Sequence, residues 1–204
     1  MPTLEYELDL VNQGYKLIAG LDEVGRGTIA GPVVSGSVIL NLTEKFAFYD
    51  EINDSKKLSP TKRNRLSKLI KQYSIDCSIG IVSAKVIDTI GIVPATKLSM
   101  KRAISHLSKK PQYLLVDSLN ICEIDIDQKS IIKGDNISLS IAAASIIAKV
   151  ARDRMMLKYD KYFSGYSFGS HKGYYTKSHS EELITNSVTK IHRKSFAPIK
   201  DSIK

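Results

Sequence analysis

The sequence of 204 residues predicts a single α/β domain in which helices flank a mixed central sheet and the C-terminal part is helical. Three observations favour this class. Short apolar and β-branched runs recur from residue 16 onwards, helical patterns separate several of them, and the last strand candidate ends near residue 135. A chain of this length can bury a sizeable core without disulfides or structural metals.

Five segments are typical of strands. Residues 16–22 (KLIAGLD) form the first apolar run, and residues 31–40 are β-branched and predict its neighbour in the sheet. In residues 74–83 apolar side chains alternate with others, which predicts a third strand. Residues 112–117 are a short apolar run that ends in an acid, as a buried central strand often does, and residues 129–135 complete the set.

Helical patterns lie between and after these strands. Ser59 is the expected N-cap of a basic helix whose first position is a proline. A second helix is predicted over residues 94–110. The longest, over residues 138–160, is apolar nearly all round in its first half and amphipathic in its second. The last helix is expected to begin near Ser178 or Ser180.

The composition indicates an acidic partner and a reducing compartment. Lys and Arg number 30 against 21 Asp and Glu, a formal net charge of +9. Such an excess favours nucleic acid as the partner, although it can serve solubility alone. Cys77 and Cys122 are far apart and no C-x-x-C occurs, which argues against a zinc site or redox pair and fits a cytoplasmic location. No signal peptide and no membrane span are predicted.

Acidic residues end the predicted strands, where they attract notice because strand interiors disfavour Asp. Asp22 ends the first strand, Asp117 ends the fourth, and Asp135 ends the fifth, just before the buried helix. If these strands are neighbours, their acids converge on one rim of the sheet. The alternative is that each acid caps a helix or starts a turn.

Glu23 poses a geometric question, because adjacent residues of a strand point to opposite faces. For Asp22 and Glu23 to serve one site, the chain must leave strand geometry there, which Gly25 and Gly27 permit. Otherwise Glu23 must bind a second metal around the rim. Both possibilities remain open from the sequence.

Clustered carboxylates raise one another's pKa values unless a cation lies among them. No Cys or His stands at metal-ligand spacing, so the ligands would be oxygen atoms, which select Mg²⁺ or Mn²⁺. Two such ions, about 3.5–4 Å apart, drive in-line phosphoryl displacement in many nucleases. On a basic chain, with acids at the ends of two predicted strands, the sequence therefore favours a metal site over helix caps and turns.

Six motifs together resemble one known family. They are IAGLDEVGRGTIAGPVVSGSVIL (18–40), DSKKLS (54–59), LLVDS (114–118), IIKGDNISLSIAAASIIAKVARDR (131–154), HKGYYTKSH (171–179) and HRKSFAP (192–198). Their order and spacing are similar to those of the type 2 ribonucleases H, the ribonuclease HII family. The resemblance runs nearly from end to end.

The resemblance implies a ribonuclease H-like fold and metal-dependent cleavage of RNA in RNA–DNA hybrids, including cleavage at single ribonucleotides inside duplex DNA. The family's catalytic, metal-binding carboxylates fall on Asp22, Glu23, Asp117 and Asp135, which would hold two divalent ions, Mn²⁺ or Mg²⁺. Asp153 is a tempting fifth ligand, but its position on a charged helix face favours an ion pair.

The expected substrate-binding residues begin with Gly25, Arg26 and Gly27, which follow the first acids. The family uses this loop at the ribonucleotide. A bare backbone can approach the ribose and present N–H and C=O groups to its 2′-hydroxyl, the group that separates RNA from DNA. Arg26 would neutralise a phosphate. Without the adjacent acids, the same residues would indicate a flexible turn.

Further expected contacts come from Lys56 and Lys57, which precede a helix N-terminus and suit phosphate, although such a pair is often solvated surface. Tyr174 resembles the family tyrosine that stacks on the sugar next to the cleavage point, although most tyrosines simply pack. His171 is a weaker candidate. Ser118 stands where the family usually has glycine, which puts the local backbone shape in doubt.

Residues 1–204 are expected to form one catalytic domain, with residues from about 160 to 204 as a helical extension, and to act as a monomer without membrane contact. The expected partners are RNA–DNA hybrid and duplex DNA that contains ribonucleotides. Enzymatic rivals are a Holliday-junction resolvase and a type 1 ribonuclease H. The non-enzymatic rival is a nucleic-acid binding module whose acids only cap helices.

Overall fold

The computed structural model describes residues 1–122 and 124–202, and its strands form one five-stranded mixed sheet. The strands are β1 (Ile18–Val24), β2 (Val33–Ile39), β3 (Asp76–Val82), β4 (Tyr113–Asp117) and β5 (Asp127–Ile131). Their order across the sheet is β3-β2-β1-β4-β5. β1, β2 and β3 pair antiparallel, whereas β4 runs parallel to both β1 and β5. The predicted mixed sheet is confirmed.

Helices cover both faces of the sheet. They are α1 (Glu5–Asn12), α2 (Pro60–Tyr73), α3 (Ala84–Ile90), α4 (Ile92–Ser105), α5 (Leu139–Tyr162), α6 (Phe168–His171), α7 (Lys177–Thr185) and α8 (Ala197–Ser202), with short 3₁₀ turns at Ala47–Glu51 and Gly134–Asn136. Val38 of β2 packs among residues of α2 and α5, whereas its neighbour Ile39 packs with Met100 of α4. In the described part of the chain, none of these helices combines the length and the apolarity needed to cross a membrane.

Two glycines let α5 lie directly on β1 and β2. A Cβ atom on Gly20 would lie 2.1 Å from the carbonyl carbon of Ser140, and one on Gly36 would lie 2.3 Å from the carbonyl oxygen of Ala144. No side chain fits at either position. The close approach carries the buried first half of α5, and with it Ser145, to the edge where β1 ends.

Side-chain caps define the helix starts that the sequence predicts. The Ser59 hydroxyl accepts from the Lys62 N–H at 3.3 Å, which confirms the predicted cap of α2. Thr176 caps α7 in the same way, accepting from the His179 N–H at 3.2 Å, so that helix begins at Lys177 rather than at Ser178 or Ser180.

The structure corrects the bounds of three further elements and adds helices. β1 continues to Val24 rather than ending at Asp22, because its pairing with β2 runs on through Glu23 and Val24. β5 spans Asp127–Ile131 rather than 129–135, because Lys133 adopts a left-handed conformation (φ 56°) that ends the strand. Asp135 therefore lies in the 3₁₀ turn. α4 covers Ile92–Ser105 rather than 94–110, since Gly91 (φ 83°) marks its start and His106 caps its end. The short helices α1, α3, α6 and α8 were not expected.

Candidate active site

Parallel pairing of β1 with β4 brings the first two predicted acids together. Leu21 pairs with Val116, so the next residues, Asp22 and Asp117, stand at the same level of the sheet edge. By strand alternation both lie on the face that contacts α5. Ligand oxygens of Asp22, Glu23 and Asp117 all lie within 4.8 Å of one another. We call these three residues the carboxylate cluster.

Glu23 joins the cluster without a break in the strand. The ladder between β1 and β2 continues through Glu23 opposite Ser35 and Val24 opposite Val34. The chain therefore keeps strand geometry at Glu23, and the bend begins at Gly25 (φ 91°). The carboxylate of Glu23 reaches the cluster from the adjacent position on the strand, and one of its oxygens, Oε2, is buried with no hydrogen-bond partner among the described residues.

Asp22 is the most deeply buried member, with 5% of its surface exposed. Its Oδ1 accepts from the Glu23 N–H at 2.7 Å, and the Ser145 hydroxyl of α5 lies close enough to oppose the rise in the pKa of its carboxyl group. The hydroxyls of Ser145 and Ser55 are 2.9 Å apart, which ties this contact to the DSKK segment. Burial raises the pKa of Asp22 well above its ordinary value, and the charges of Glu23 and Asp117 raise it further.

The other two carboxyl groups are also difficult to ionise. Burial raises the pKa of Glu23, although Arg26 opposes this by donating to Glu23 Oε1 at 3.1 Å. Burial likewise raises the pKa of Asp117, against a hydrogen bond of 2.7 Å from the Gly134 N–H. A divalent cation among these three carboxylates would offset their mutual repulsion. It would also give the buried, unpartnered Glu23 Oε2 a partner. The cluster therefore fits a hard divalent cation.

Asp135 lies beside the cluster but outside the group of three. It is buried, with 7% of its surface exposed, and its Oδ1 accepts from the Asn136 amide at 2.8 Å. Its charge contributes to the raised pKa of Asp117, so the two carboxylates are neighbours. The role of Asp135 as a ligand stays a prediction.

Lys56 and Lys57 lie close to this edge of the sheet. Burial alone would lower the pKa of Lys56, but the charges of three carboxylates outweigh burial and raise it; they belong to Asp54, Asp135 and Asp22. The Lys57 ammonium donates to the Asn136 side-chain oxygen at 2.5 Å. The ammonium of Lys56 is therefore near enough to these acids to feel their charges, whereas that of Lys57 contacts the turn that carries Asp135.

The loop of Gly25, Arg26 and Gly27, hereafter the GRG loop, has two different glycines. A Cβ on Gly25 would lie 2.2 Å from Nε of Arg152, so there is no space for a side chain at this position. A Cβ on Gly27 would meet no atom within 4 Å. The loop is thus anchored at its first glycine and open at its second.

Tyr174 is held beside the GRG loop by the residues that precede it. The carbonyl oxygen of Gly173 accepts from the Ile29 N–H at 2.9 Å and the Ala30 N–H at 3.3 Å. Gly173 (φ 81°) packs so closely that a Cβ there would lie 2.3 Å from the Ala30 oxygen. Tyr174 is 40% exposed and close enough to Lys56 to affect the pKa of that lysine.

Two other sequence expectations concern Ser118 and Asp153. Ser118 adopts the left-handed conformation (φ 51°) that glycine would favour, so the backbone keeps the shape that a glycine would allow. Its hydroxyl donates to Asp117 Oδ1 at 3.2 Å. Asp153 forms ion pairs with Lys149 at 2.8 Å and Arg63 at 3.7 Å, as expected of a residue that is not a ligand.

The sequence did not single out Arg152, Arg193, Ser145 or Ser55. A signal existed for Arg152, because it belongs to a stripe of buried residues at helical spacing along α5: Ile141, Ser145, Ala148, Arg152 and Met156. An arginine inside such a stripe indicates a buried guanidinium. We find no comparable pattern around Arg193.

Comparison with known proteins agrees with this geometry. A family model described as Ribonuclease HII matches residues 19–199. Ribonuclease HII of Clostridioides difficile (strain 630) is 49% identical over 191 residues, which are 94% of this chain and 74% of that protein. The crystal structure of ribonuclease H2 from Pyrococcus horikoshii OT3 has a TM-score of 0.78 at 25% identity and covers 92% of this chain and 97% of that chain.

A likeness in fold alone extends to Bst-RNase HIII, solved in complex with Mn²⁺. Its TM-score is 0.68 at 17% identity, with 92% of this chain and 69% of that chain covered. The family model and the close relative, by contrast, span most of the chain and include the strands that carry the carboxylate cluster. The chain therefore belongs to the ribonuclease HII family, and it is an endoribonuclease that acts on RNA–DNA hybrids.

Proposed function

We propose that this endoribonuclease also cuts duplex DNA at single embedded ribonucleotides, on the 5′ side of the ribonucleotide, and leaves 3′-hydroxyl and 5′-phosphate ends. One observation carries the proposal: an open backbone loop follows the carboxylate cluster directly along the chain, and a half-exposed tyrosine is held beside that loop. The loop can approach one ribose and the ring can test the next sugar. A nuclease that recognises only long RNA tracts would not need both the GRG loop and the Tyr174 ring.

The carboxylate cluster would hold divalent ions, with Asp135 as a further ligand at its side. Oxygen donors alone favour Mg²⁺ or Mn²⁺, and the Mn²⁺ bound to Bst-RNase HIII, which shares the fold, supports this choice. We infer two ions, since Glu23 approaches from a different strand position than Asp22 and Asp117. Such ions lower the pKa of a water nucleophile and stabilise the leaving 3′-oxygen.

The positive side chains near the cluster would bind the scissile strand. Lys56, whose ammonium is near the acids, is suited to a phosphate next to the cleaved bond. Arg26 is paired with Glu23 in the free protein and is 39% exposed, so it can turn from that carboxylate to a phosphate. Lys57 would act near the turn of Asp135.

The ribose 2′-hydroxyl serves recognition in this scheme and is not the nucleophile. The GRG loop can detect one 2′-hydroxyl but cannot tell an RNA tract from a lone ribonucleotide. The Tyr174 ring, packed on the following sugar, has room for a deoxyribose, whereas a 2′-hydroxyl there would add bulk and need a polar partner. Together the two groups favour an RNA-to-DNA junction.

The helical part beyond about residue 160 belongs to the same catalytic domain in this proposal. Its contacts support that view, because Arg193 bonds to carbonyl groups of the GRG loop and Gly173 packs on Ala30. Removal of this part would therefore disturb the substrate loop as well as the C-terminal helices.

A panel of matched duplexes tests the proposal. The protein is incubated with a single-ribonucleotide duplex, an RNA–DNA hybrid and an all-DNA duplex, each with Mg²⁺, Mn²⁺ or a chelator, and the product ends are mapped. We expect metal-dependent cleavage of the first two, with a cut 5′ of the lone ribonucleotide. Cleavage in chelator or cyclic phosphate ends would refute the mechanism. Cleavage of the hybrid alone would refute the ribonucleotide specificity.

A further inference from the structure

The GRG loop is held from inside by two buried arginines, Arg193 and Arg152. We propose that Arg193, supported by Arg152, is a positioning residue that turns the N–H groups of Arg26 and Gly27 toward the substrate ribose. This inference rests on the proposed function, since it names the groups that would detect the 2′-hydroxyl.

Arg193 uses its whole guanidinium on carbonyl oxygens of residues 25–31. Its side chain is fully buried, and Nη2 donates to the Gly25 oxygen at 2.6 Å while Nη1 donates to the Arg26 oxygen at 2.8 Å. Nε and Nη2 also donate to the Gly31 oxygen, at 3.1 and 3.0 Å. Within residues 1–122 and 124–202, no carboxylate forms an ion pair with Arg193.

Arg152 supports the same loop from α5 and joins it to the segment that carries Tyr174. Its Nε donates to the Pro32 oxygen at 2.9 Å, and Nη1 donates to the Lys172 oxygen at 2.8 Å. Nη2 donates to the Thr28 hydroxyl at 2.9 Å, and that hydroxyl donates onward to the Gly25 oxygen at 3.1 Å. The two arginines therefore meet at the carbonyl group of Gly25.

A guanidinium buried against carbonyl and hydroxyl oxygens is costly, because burial removes its hydration and no carboxylate forms an ion pair with either arginine among the described residues. Burial lowers the pKa of Arg193 to about 9 and that of Arg152 to about 10. Aliphatic side chains would fill the same volume without this cost but would leave the loop carbonyls free to turn. The arginines thus fix one orientation of these peptide groups.

Peptide planarity converts that orientation into a binding geometry. In a trans peptide, the C=O and the following N–H point in opposite directions. Because the oxygens of Gly25 and Arg26 point inward to Arg193, the N–H groups of Arg26 and Gly27 point away from it. Neither N–H has an acceptor among the residues that the structure describes, and the space at Gly27 is open. The loop therefore offers the ribose two donors, while its carbonyl groups are already engaged.

Substitution of Arg193 tests this assignment. Arg193→Gln removes the positive charge and the planar set of guanidinium donors. Arg193→Lys keeps the charge but replaces the guanidinium with a compact ammonium group. Lys194→Gln is the control, because it removes one positive charge from an exposed neighbour. Arg193→Gln should lower kcat/KM on the single-ribonucleotide duplex by about 100-fold, the effect of a small displacement of binding groups. Arg193→Lys should retain part of the activity and Lys194→Gln all of it. Affinity for the all-DNA duplex should be unchanged in all three.

Two outcomes of that experiment would overturn the inference. One is an Arg193→Gln protein that cuts the ribonucleotide duplex as well as the wild type does. The other is a loss of affinity for all-DNA duplex as large as the loss of kcat/KM, which would mean that Arg193 contributes charge or folding rather than orientation.

A second measurement uses the wild-type protein and decides the matter if Arg193→Gln does not fold. Amide ¹H and ¹⁵N signals of Arg26 and Gly27 are followed in chelator while a single-ribonucleotide duplex or its all-DNA counterpart is added. Both signals should shift with the ribonucleotide duplex and not with DNA, and an equal response to the two duplexes would refute the inference. A wild type that fails to cut the ribonucleotide duplex refutes the proposed function instead.

Discussion

At the scale of single residues, the ionised form of the carboxylate cluster is unfavourable in the protein without a bound cation. Burial raises the pKa values of Asp22, Glu23 and Asp117, and the charge of Asp117 makes ionisation of the other two harder. The fold nevertheless holds all three at one edge through strand pairing and the close contact of α5. Such opposition between stability and placement is typical of a functional site.

Ser118 shows a smaller version of the same conflict. A left-handed conformation costs a residue with a side chain about 1 kcal/mol, and glycine is free of this cost. Ser118→Gly should therefore raise Tm by about 2–4 °C, as measured by thermal unfolding. Ser118→Ala is the matched control, because it keeps the strain and loses the hydroxyl that bonds to Asp117. A glycine variant no more stable than the wild type would mean that this hydrogen bond outweighs the strain.

In the proposed function, junction selectivity depends on Tyr174. Tyr174→Ala should lower the cleavage rate on a single-ribonucleotide duplex by about tenfold, a loss within the range of aromatic stacking on nucleic acid. The rate on a long RNA–DNA hybrid should fall less. Tyr174→Phe should cleave both substrates at nearly the wild-type rate, because it keeps the ring. Tyr175→Ala removes the neighbouring exposed ring and serves as the control. Equal losses on both substrates would show that Tyr174 only packs.

At the scale of elements, a chain of histidines supports the segment that carries Tyr174. The Thr189 N–H donates to His192 Nδ1 at 2.9 Å, so the His192 proton lies on Nε2 and is donated to His179 Nε2 at 3.0 Å. His179 then carries its proton on Nδ1 and donates it to the Tyr174 carbonyl oxygen at 2.9 Å. The whole chain requires neutral imidazoles.

Acid should therefore loosen this part of the fold. Burial, followed by the neighbouring His179, lowers the pKa of His192 from 6.5 to about 4 in the folded protein. Between these values the unfolded chain binds more protons, so the free energy of unfolding is complete above about pH 6.5 and falls as pH drops toward about 4. Each unit of pKa depression is worth about 1.4 kcal/mol.

Denaturant unfolding at several pH values measures this effect. His192→Asn should lower stability at neutral pH but flatten the pH dependence, whereas His106→Asn, an exposed position at the end of α4, should leave the slope of the wild type intact. An unchanged slope in His192→Asn would contradict the role given to the histidine chain.

At the scale of the whole molecule, the sequence predicted the sheet, the longest helices and the convergence of Asp22 with Asp117. Periodicity carried those inferences, because apolar runs and acids at strand ends are local features. The burial of Arg152 and Arg193 was not predicted, since both arginines bond to carbonyl groups that lie far away in the sequence. The end of β5 was missed because nothing local marks Lys133 as left-handed.

The net charge of +9 should make the affinity for duplex substrates depend on salt concentration. We expect log affinity to fall with log salt at a slope of about −0.9 per phosphate contacted, as measured in chelator. Lys56→Gln should reduce the slope by about one contact. Lys16→Gln should not, because Lys16 precedes β1 at the end opposite Asp22, about 20 Å away. Equal salt slopes for the wild type and Lys56→Gln would mean that Lys56 contacts no phosphate of the bound duplex.

The carboxylate cluster is the centre of this account, and Asp22→Asn tests it most directly. Cleavage and binding of an RNA–DNA hybrid are measured side by side for the wild type, Asp22→Asn and Asp153→Asn, whose carboxylate forms ion pairs away from the cluster. Asp22→Asn should lose at least about 100-fold in cleavage, since removal of even an indirect partner of a metal ligand costs 10–100-fold, and should bind the hybrid as the wild type does. Asp153→Asn should still cut. An Asp22→Asn protein that turns over near the wild-type rate would contradict the assignment of the site.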